Sequence, residues 1–409
     1  MVTKTGSSTA KRWVALALGV SLLGAAATAG AAASGGAIKV MTRNQYLGAD
    51  LAPVVTATSF DEFFAAAGAA LAQVAANNFP RRAKGFAREV FLTRPDVIAL
   101  QEVYDFTLNE RNGAPPFVDH LQATLDALAS AGLRYVVAGT AERLDVTLPV
   151  DVNGDGSPEL VRMLDRDVIL VRKGLVFRNL AGDVQNGGLC GVRLPNPALV
   201  DPFPAELAST VAQDGCNFSI TARVNSPAGL IVVKRGFLGV DVQVNGKDYR
   251  VIDTHLEERF PSSDPLSAIV QFLQAVELVG TLQATTPAGR TLIVAGDFNS
   301  APVETPIDTP LGPIVPPYQI MVGYGFTDAW EENPLRLFDP DGFTCCQEPD
   351  LSNRTSELYE RIDHLFTKST KPVRSLAFVT GRVPLFPLGT PPNWASDHGG
   401  VFGELIFAR

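Results

Sequence analysis

Residues 295–300 have the sequence Ala-Gly-Asp-Phe-Asn-Ser and complete an apolar run over residues 292–295, which is typical of a buried strand. Close to the carboxyl end, residues 396–399 have the sequence Ser-Asp-His-Gly and precede a second apolar run over residues 401–407. Carboxylate, amide and imidazole side chains therefore stand where a buried strand ends or begins. Ligands of α/β sheets bind at such strand ends. The two segments predict a polar site at one edge of a sheet.

Residues of the same types stand at the ends of other predicted strands. A carboxylate or amide after a strand more often forms a turn or caps a helix, so each residue alone is weak support for a site. Their number and their shared position predict that they converge. The full set is Asn44 in MTRNQYLG, Glu102 in ALQEV, His255 in DTHLE, Asp297 and Asn299 in AGDFNS, Asp363 in RIDHLF, and Asp397 and His398 in SDHGG.

The alternation of strand-like and helix-like segments predicts an α/β fold. Helices are expected over residues 61–77 and from residues 263–265 to about residue 282, since Pro265 suits a first helical turn. No repeat, linker or abrupt change of composition interrupts residues 34–409, which predicts a single domain. Strands are expected over residues 37–42, 96–101, 161–172, 230–235, 239–244, 249–254, 292–295, 362–366 and 401–407.

Residues 1–33 are typical of a secretory signal peptide. Lys4, Lys11 and Arg12 precede an apolar run, and small residues follow as far as Ala33. We expect cleavage near Ala33 and a secreted or extracytoplasmic protein. The alternative is a retained N-terminal anchor, because the apolar stretch approaches the roughly 20 residues that a membrane span needs.

The 409-residue chain is acidic, with a formal net charge of −9, and loss of the signal peptide would remove three basic residues and no acid. An acidic protein does not attract polyanions over long distances, so nucleic acid or phospholipid would need a local basic patch or bound cations. Five basic residues near the predicted site are candidates for this patch, with a solvated helix face as the alternative: Arg43, Arg81, Arg82, Lys84 and Arg88.

Export to an oxidising compartment allows the four cysteines to form disulfides. We expect Cys190 to pair with Cys216 across a Gly- and Pro-rich loop. By exclusion, Cys345 and Cys346 would pair with each other. The alternative is that this adjacent pair stays reduced or joins other partners.

The segment that begins Asp151-Val-Asn153-Gly-Asp155-Gly resembles the start of a calcium-binding loop. Position 12 of such a loop would be Arg162 and not the required glutamate, so an EF-hand is excluded. A hairpin turn between two strands and a partial structural Ca²⁺ site at Asp151, Asn153 and Asp155 are the two interpretations left open.

Cleavage of a phosphodiester explains why these residue types would converge. An anionic phosphate repels hydroxide, so a hard cation held by carboxylate and amide oxygens has to neutralise charge and position the attacking water. Glu102 and Asp397 supply such oxygens. A general base that works near neutral pH suits a histidine oriented by a carboxylate, as His398 and Asp363 would be.

The segments NQYLG, QEV, THLE, GDFNS, RIDHLF and SDHGGV resemble, in order and spacing, the motifs of the endonuclease/exonuclease/phosphatase superfamily. The resemblance covers residues 38–409. It implies a two-sheet β-sandwich flanked by helices, with the active site at one edge of the sandwich. Pancreatic-type deoxyribonucleases, exonuclease III-like repair enzymes, inositol polyphosphate 5-phosphatases and bacterial sphingomyelinases belong to this superfamily.

The resemblance also implies a metal site. It makes Glu102 the principal ligand of Mg²⁺ or Mn²⁺, assisted by Asn44 and by the carboxylate of Asp397. Tyr46 stands where the repair enzymes carry an acid, so the resemblance does not extend to a second metal ligand there.

Five further residues take catalytic roles by the same resemblance. His398 becomes the base or the phosphate-contacting histidine, with Asp363 as its orienting partner. Asp297 and Asn299 align the nucleophilic water and hold the phosphoryl oxygens, while His255 donates to the phosphate or to the leaving group.

Asp165 and Asp167 precede an apolar strand, and the resemblance to the deoxyribonucleases suggests one of them as a partner for His255. The alternative is a solvated, charged strand end without a catalytic role.

The sequence therefore predicts a secreted, metal-dependent hydrolase of phosphate esters that acts as a monomer. A phosphodiesterase is expected, with nucleic acid slightly ahead of phospholipid or sphingomyelin headgroups as substrate. Hydrolysis of a small phosphate monoester stays open. A non-catalytic binding module is disfavoured, because such a protein has no reason to retain carboxylates at the metal and base positions.

Overall fold

The computed structural model describes residues 36–108, 117–152, 156–198, 203–259, 265–309, 312–371, 373–385 and 391–408. The predicted signal peptide lies outside the described residues. Two residues of the predicted calcium loop, Asn153 and Asp155, do so as well.

Six α-helices are present in the described ranges, and they include both predicted ones. The helix between residues 79 and 93 was not predicted; there the side chain of Asn78 accepts a hydrogen bond from Arg81 N at 3.2 Å and starts the helix. The helices are α1 (Ala52–Thr56), α2 (Phe60–Ala76), α3 (Phe79–Thr93), α4 (His120–Ser130), α5 (Pro265–Thr285) and α6 (Pro317–Gly323).

The strands make up most of the fold. In the first half of the chain they are β1 (Gly36–Asn44), β2 (Val97–Gln101), β3 (Asp105–Leu108), β4 (Val118–Asp119), β5 (Tyr135–Val150), β6 (Glu159–Arg172), β7 (Val176–Asn179) and β8 (Leu194–Pro195). Next come β9 (Glu206–Leu207), β10 (Thr210–Ala212), β11 (Gly215–Asn217), β12 (Ala222–Ser226), β13 (Gly229–Val233), β14 (Gly236–Val244) and β15 (Lys247–His255). The remaining strands are β16 (Thr291–Asp297), β17 (Ile307–Thr309), β18 (Gly312–Ile314), β19 (Thr327–Asp328), β20 (Asp363–Lys368), β21 (Val373–Thr380) and β22 (Gly400–Phe407).

Two large mixed sheets contain sixteen of these strands. The first sheet has the order β21-β22-β1-β2-β6-β3-β4, with β5 paired to β6. The second has the order β10-β11-β14-β15-β16-β20-β19, with β7 paired to β14. The sheets pack face to face, because strands of both contribute side chains such as Val40, Ile169, Val251 and Ile293 to one buried cluster.

Helices cover the outer faces of both sheets, so the predicted two-sheet sandwich flanked by helices is confirmed. Phe86 and Val90 of α3 pack against Ile98 and Leu170 of the first sheet. Leu278 and Leu282 of α5 pack in the cluster that covers the second sheet. Helix α5 is long and apolar enough to cross a membrane, but two thirds of its apolar window is buried within the protein, as in a core helix.

Two local predictions need correction or completion. The strand expected over residues 230–235 ends at Val233 and forms a separate hairpin with β12 instead of joining a large sheet. The segment around Asp151 connects the antiparallel strands β5 and β6, and Asp151 Oδ2 accepts a hydrogen bond from Gly156 N at 2.9 Å. These contacts agree with the hairpin-turn interpretation of this segment.

The structure joins Cys190 to Cys216, as predicted, and also joins Cys345 to Cys346. Cys190 precedes β8, and Cys216 lies on β11, so the first disulfide links a loop to the second sheet.

Candidate active site

The strand pairing brings the predicted residues to one end of the sandwich. In the first sheet, β1 and β2 are parallel and end side by side, with Asn44 opposite Gln101 and Glu102 directly after it. In the second sheet, His255 at the end of β15 lies opposite Asp297 at the end of β16. Both pairs therefore meet at the edge where parallel strands finish.

The carboxyl-terminal motifs reach the same edge because their strands run in the opposite direction. Asp363 begins β20 directly opposite Asp297. Strand β22 begins at Gly400, close to the end of β1, so Asp397 and His398 precede it at this edge.

Glu102 is held by two hydrogen bonds. Asn44 Nδ2 donates to Glu102 Oε1 at 3.0 Å, and the backbone N–H of Leu47 donates to Glu102 Oε2 at 2.9 Å. Glu102 adopts a φ of 55°, in the left-handed region that non-glycine residues rarely occupy. Such backbone strain recurs at functional sites, where surrounding contacts impose it.

Asn44 connects the two sheets. Its Nδ2 also donates to Asp297 Oδ2 at 3.0 Å, while its Oδ1 accepts from Tyr46 N at 2.8 Å. Asp297 is buried, and this burial together with the charge of Asp363 raises its pKa to about 7. A single amide thus aligns carboxylates from both sheets.

His398 and Asp363 form the predicted pair. Nδ1 of His398 lies 2.8 Å from Oδ2 of Asp363, and its other ring nitrogen, Nε2, lies 3.9 Å from Asp297 Oδ2. Burial alone would lower the pKa of His398, but the carboxylates of Asp363, Asp397 and Asp297 outweigh it and raise the pKa well above the usual value. At this raised pKa the imidazole holds a proton at Nε2, and a cation beside the same carboxylates would lower the pKa and let Nε2 accept a proton.

Neither interpretation of Asp165 and Asp167 holds, because both are buried and neither pairs with His255. Nδ1 of His255 lies 2.8 Å from Nη1 of Arg235, whereas Asp167 Oδ2 pairs with Arg143 Nε at 2.6 Å. Burial alone would lower the pKa of Arg235, but the carboxylates of Glu257 and Asp165 outweigh it and raise the pKa. The guanidinium is therefore charged, and Asp165 acts on Arg235 instead of on the imidazole.

The contact with Arg235 determines the tautomer and the protonation of His255. A guanidinium can only donate, so Nδ1 of His255 accepts and the ring proton is on Nε2. Burial, assisted by the charge of Arg235, lowers the pKa of His255 well below its usual value and keeps the imidazole neutral. Nε2 lies 3.6 Å from Asp297 Oδ2 and 3.4 Å from Asn299 Nδ2, so its proton points into the same space.

Asn299 is fixed by its backbone and its side chain. Its N–H donates to Asp297 Oδ1 at 2.9 Å, and its Nδ2 donates to the carbonyl of Leu256 at 3.0 Å. Its φ of 46° lies in the left-handed region that Asn tolerates better than most residues.

The predicted basic patch is also wrong for two of its five members. Arg43 and Arg82 are each only 1% exposed. Arg43 pairs with Glu89 at 3.2 Å. The guanidinium of Arg82 donates to the carbonyls of Gln45 and Tyr46 at 2.9 and 3.0 Å. These hydrogen bonds fix the loop that leads to Leu47, whose N–H donates to Glu102.

Carboxylates gather at this end of the sandwich, and among the described residues the ligand atoms of Asp297, Asp363 and His398 lie within 4.8 Å of one another, close enough to share an ion. Burial raises the pKa of Asp397 to about 6; the charge of His398 opposes this rise and the charge of Glu102 adds to it, so the two carboxylates lie within electrostatic reach of each other. Oδ1 of Asp363 is buried without a hydrogen-bond partner among the described residues. Carboxylate and amide oxygens are the ligands that Mg²⁺ and Mn²⁺ prefer.

A cleft that encloses about 1230 Å³ of space, part of it open to solvent, lies beside these residues. Glu102, Asp297, Asn299, His255, Asp397 and His398 line it. Its walls also carry the acids Asp50, Glu258, Glu304 and Glu360 and the cations Arg235 and Arg259. Acidic side chains therefore outnumber basic ones in the lining of the cleft.

Three residues that support the site were missed by the sequence analysis. Arg235 had no signal beyond its place at the end of a predicted strand. Thr344 Oγ1 accepts from Asp363 N at 3.1 Å, and Ser396 Oγ accepts from His398 N at 3.2 Å. Ser396 belongs to the SDH motif, whereas Thr344 is distant in sequence and follows no recognisable pattern.

A model of the Endonuclease/Exonuclease/phosphatase family matches residues 69–398 of this chain. The chain belongs to that family. Members of the family are phosphoric ester hydrolases, and the match therefore supports a hydrolase activity. A comparison with curated proteins found no match.

Several solved structures are similar to this chain at low identity. A Beutenbergia cavernae endonuclease/exonuclease/phosphatase is 20% identical, with 91% of this chain and 72% of that chain covered and a TM-score of 0.46. A Bacteroides thetaiotaomicron mannosyl-6-phosphatase is 16% identical, with 90% and 100% covered and a TM-score of 0.47. D. rerio TDP2 with a single-strand DNA product is 14% identical, with 90% and 98% covered and a TM-score of 0.43.

Proposed function

We propose that this protein is a divalent-metal-dependent phosphodiesterase that is exported from the cell and acts as a monomer. The observation that carries the proposal is the convergence of the His398–Asp363 pair, Asp297 and the carboxylates of Glu102 and Asp397 on one cleft. A metal-dependent hydrolase of phosphate esters needs a general acid or base next to a site that binds a cation and the phosphate. These residues would supply the general base and the binding site.

Glu102 and Asp397, with Asn44 beside them, would hold Mg²⁺ or Mn²⁺. A divalent cation in such a site neutralises the charge of the phosphate and favours ionisation of a nearby water. Asn44 Nδ2 donates to both Glu102 and Asp297. The same amide would therefore orient a ligand of the metal and a residue that aligns the attacking water.

The remaining residues supply proton transfer and orientation. Asp363 orients His398 through Nδ1, which leaves Nε2 to accept the proton of the attacking water or to contact the phosphate. Asp297 and Asn299 align the water and the phosphoryl oxygens. His255, held neutral by its surroundings, donates its Nε2 proton to the phosphate or to the leaving-group oxygen.

The charge of the cleft bears on the substrate. The prediction of nucleic acid as substrate depended in part on Arg43 and Arg82, which are buried. The acids that line the cleft, among them Glu258, Glu304 and Glu360, disfavour an extended polyanion. A diester with one phosphate, such as a phospholipid headgroup or a small soluble ester, suits this cleft better, while nucleic acid stays a prediction to be tested.

A substrate panel tests the proposal. Plasmid DNA, RNA, sphingomyelin, phosphatidylinositol and a p-nitrophenyl phosphodiester are each incubated with Mg²⁺, Mn²⁺, Ca²⁺ or EDTA. We expect turnover of at least one diester with Mg²⁺ or Mn²⁺ and its loss in EDTA. Equal rates in EDTA, or no turnover of any substrate with any cation, would contradict the proposal.

A further inference from the structure

A second cavity, distinct from the cleft, lies under the β12–β13 hairpin. It encloses about 850 Å³ of space, part of it open to solvent. Helices α1 and α2, strands β5 and β6 and the hairpin form its walls, and of the 19 residues that line it only Ser226 is polar. A concave site lined in this way suits the apolar part of a ligand.

Some of the apolar side chains that line this cavity remain partly exposed to solvent. Val224 and Ile231 of the hairpin and Leu148 of β5 are only half-buried, and Val55 of α1 is 43% exposed. Apolar side chains left in contact with water cost free energy, in proportion to their exposed area. Exposed apolar surface concentrated in one concave place is typical of a binding site.

The apolar cavity and the cleft adjoin each other. Leu47 and Leu51 line both of them. The backbone N–H of Leu47 is the group that donates to Glu102 Oε2 at 2.9 Å. A molecule with its phosphate beside Glu102 can therefore extend past Leu47 into apolar surroundings.

We propose that the apolar cavity binds the alkyl chain of a lipid-like phosphate ester whose phosphate lies in the cleft. This inference rests on the proposed function and names its substrate class. A molecule with one phosphate and an uncharged alkyl chain matches both parts of the site. The chain would be buried in the apolar cavity, and the acidic cleft would accommodate a single phosphate that a divalent cation accompanies. A nucleic acid offers no long apolar segment to fill the cavity.

Binding of two non-hydrolysable probes tests the inference. Octylphosphonate and methylphosphonate are titrated into the protein by calorimetry, with Mg²⁺ present and at concentrations where octylphosphonate is monomeric. Burial of seven additional methylene groups should make octylphosphonate bind at least about tenfold more tightly. In parallel, octyl and methyl esters of p-nitrophenyl phosphate are compared by kcat/KM.

Two matched variants of α2 locate the chain. Ala70 is buried and lines the apolar cavity, whereas its neighbour Ala69 is exposed on the same helix. Ala70→Phe places a ring in the cavity and should reduce the octyl advantage to less than about threefold, while Ala69→Phe should retain it. If Ala70→Phe does not fold, Val224→Phe fills the cavity from the opposite wall and gives the same test.

The outcomes separate the two proposals. Equal affinity of the folded wild-type protein for both phosphonates, or an octyl advantage that Ala70→Phe and Val224→Phe retain, overturns the alkyl-chain site. Hydrolysis of the methyl ester without an octyl advantage leaves the proposed function intact and overturns this inference. A cavity-dependent octyl advantage without hydrolysis of any ester supports the site while the proposed function fails.

Discussion

Nη1 of Arg235 lies 2.8 Å from Nδ1 of His255 at the end of the second sheet, where His255 is buried and Arg235 is partly buried. Because the guanidinium donates, this contact assigns the imidazole proton to Nε2, next to Asp297 and Asn299. A carboxylate at this position would instead stabilise a charged imidazole. The structure therefore makes His255 a neutral donor and not a cation.

Arg235→Met removes the donor and should let His255 rotate and exchange its proton between both nitrogens. We expect kcat to fall by roughly tenfold to hundredfold with little change in KM, since an aligned group is misplaced. The pKa of His255, followed by NMR, should rise toward its usual value. Arg178→Met, at an exposed ion pair with Asp241, is the control. An unchanged pKa of His255 would show that Arg235 does not set its state.

For the His398–Asp363 pair, His398→Ala should lower kcat by about 10²–10⁴, the usual share of general acid–base catalysis, while the affinity for metal barely changes. Asp363→Asn should cost less and act in the same step. The double variant should therefore resemble His398→Ala, because residues that act as a unit are not additive. Single-turnover rates and thermal melts of the three variants check this; multiplicative losses would indicate two independent roles.

Arg82 should be a stability determinant. It donates to the buried carbonyls of Gln45, Tyr46, Asn77 and Ala395. Arg82→Met would leave these acceptors without donors and should lower the free energy of unfolding by about 2–4 kcal/mol. Lys84→Met, on the exposed side of the same helix, should change it by less than about 0.5 kcal/mol. Urea denaturation measures both, and similar values for the two variants would refute a structural role for Arg82.

Glu277 should make stability depend on pH. Burial raises its pKa to about 7, although Ser219 donates to it. A carboxyl group with a raised folded-state pKa binds its proton more tightly when folded, so stability is lost as pH rises from about 4.5 to about 7. Glu277→Gln removes this titration. The unfolding free energy of the variant relative to wild type should increase by roughly 1–3 kcal/mol between pH 4.5 and 7.5. A difference that does not vary with pH would contradict the raised pKa.

The strands and the convergence of the site were predictable because both follow from local patterns. Apolar runs such as residues 292–295 define buried strands, and polar residues that end parallel neighbours must share an edge. The pairing of His398 with Asp363 followed from chemistry, since an imidazole base needs a carboxylate to orient it.

What the sequence did not predict depends on contacts between distant segments. Arg82 belongs to a helix rich in basic residues that resembles a solvated surface, yet backbone carbonyls from other loops surround it. Arg235 becomes the partner of His255 because β14, which follows it, pairs with β15. The apolar cavity is formed by a hairpin and two helices whose relative positions no local pattern specifies.

Hydrolysis of a p-nitrophenyl phosphodiester by Glu102→Gln and Asp397→Asn tests the proposed metal-dependent chemistry most directly. Both changes remove ligand charge but retain the size of the side chain, and Glu332→Gln, at an exposed position, is the control. We expect Mg²⁺-dependent turnover by wild type and Glu332→Gln, and its loss in both site variants, with melting temperatures close to that of wild type. Full activity of either folded site variant at saturating Mg²⁺, or of wild type in EDTA, would contradict the account.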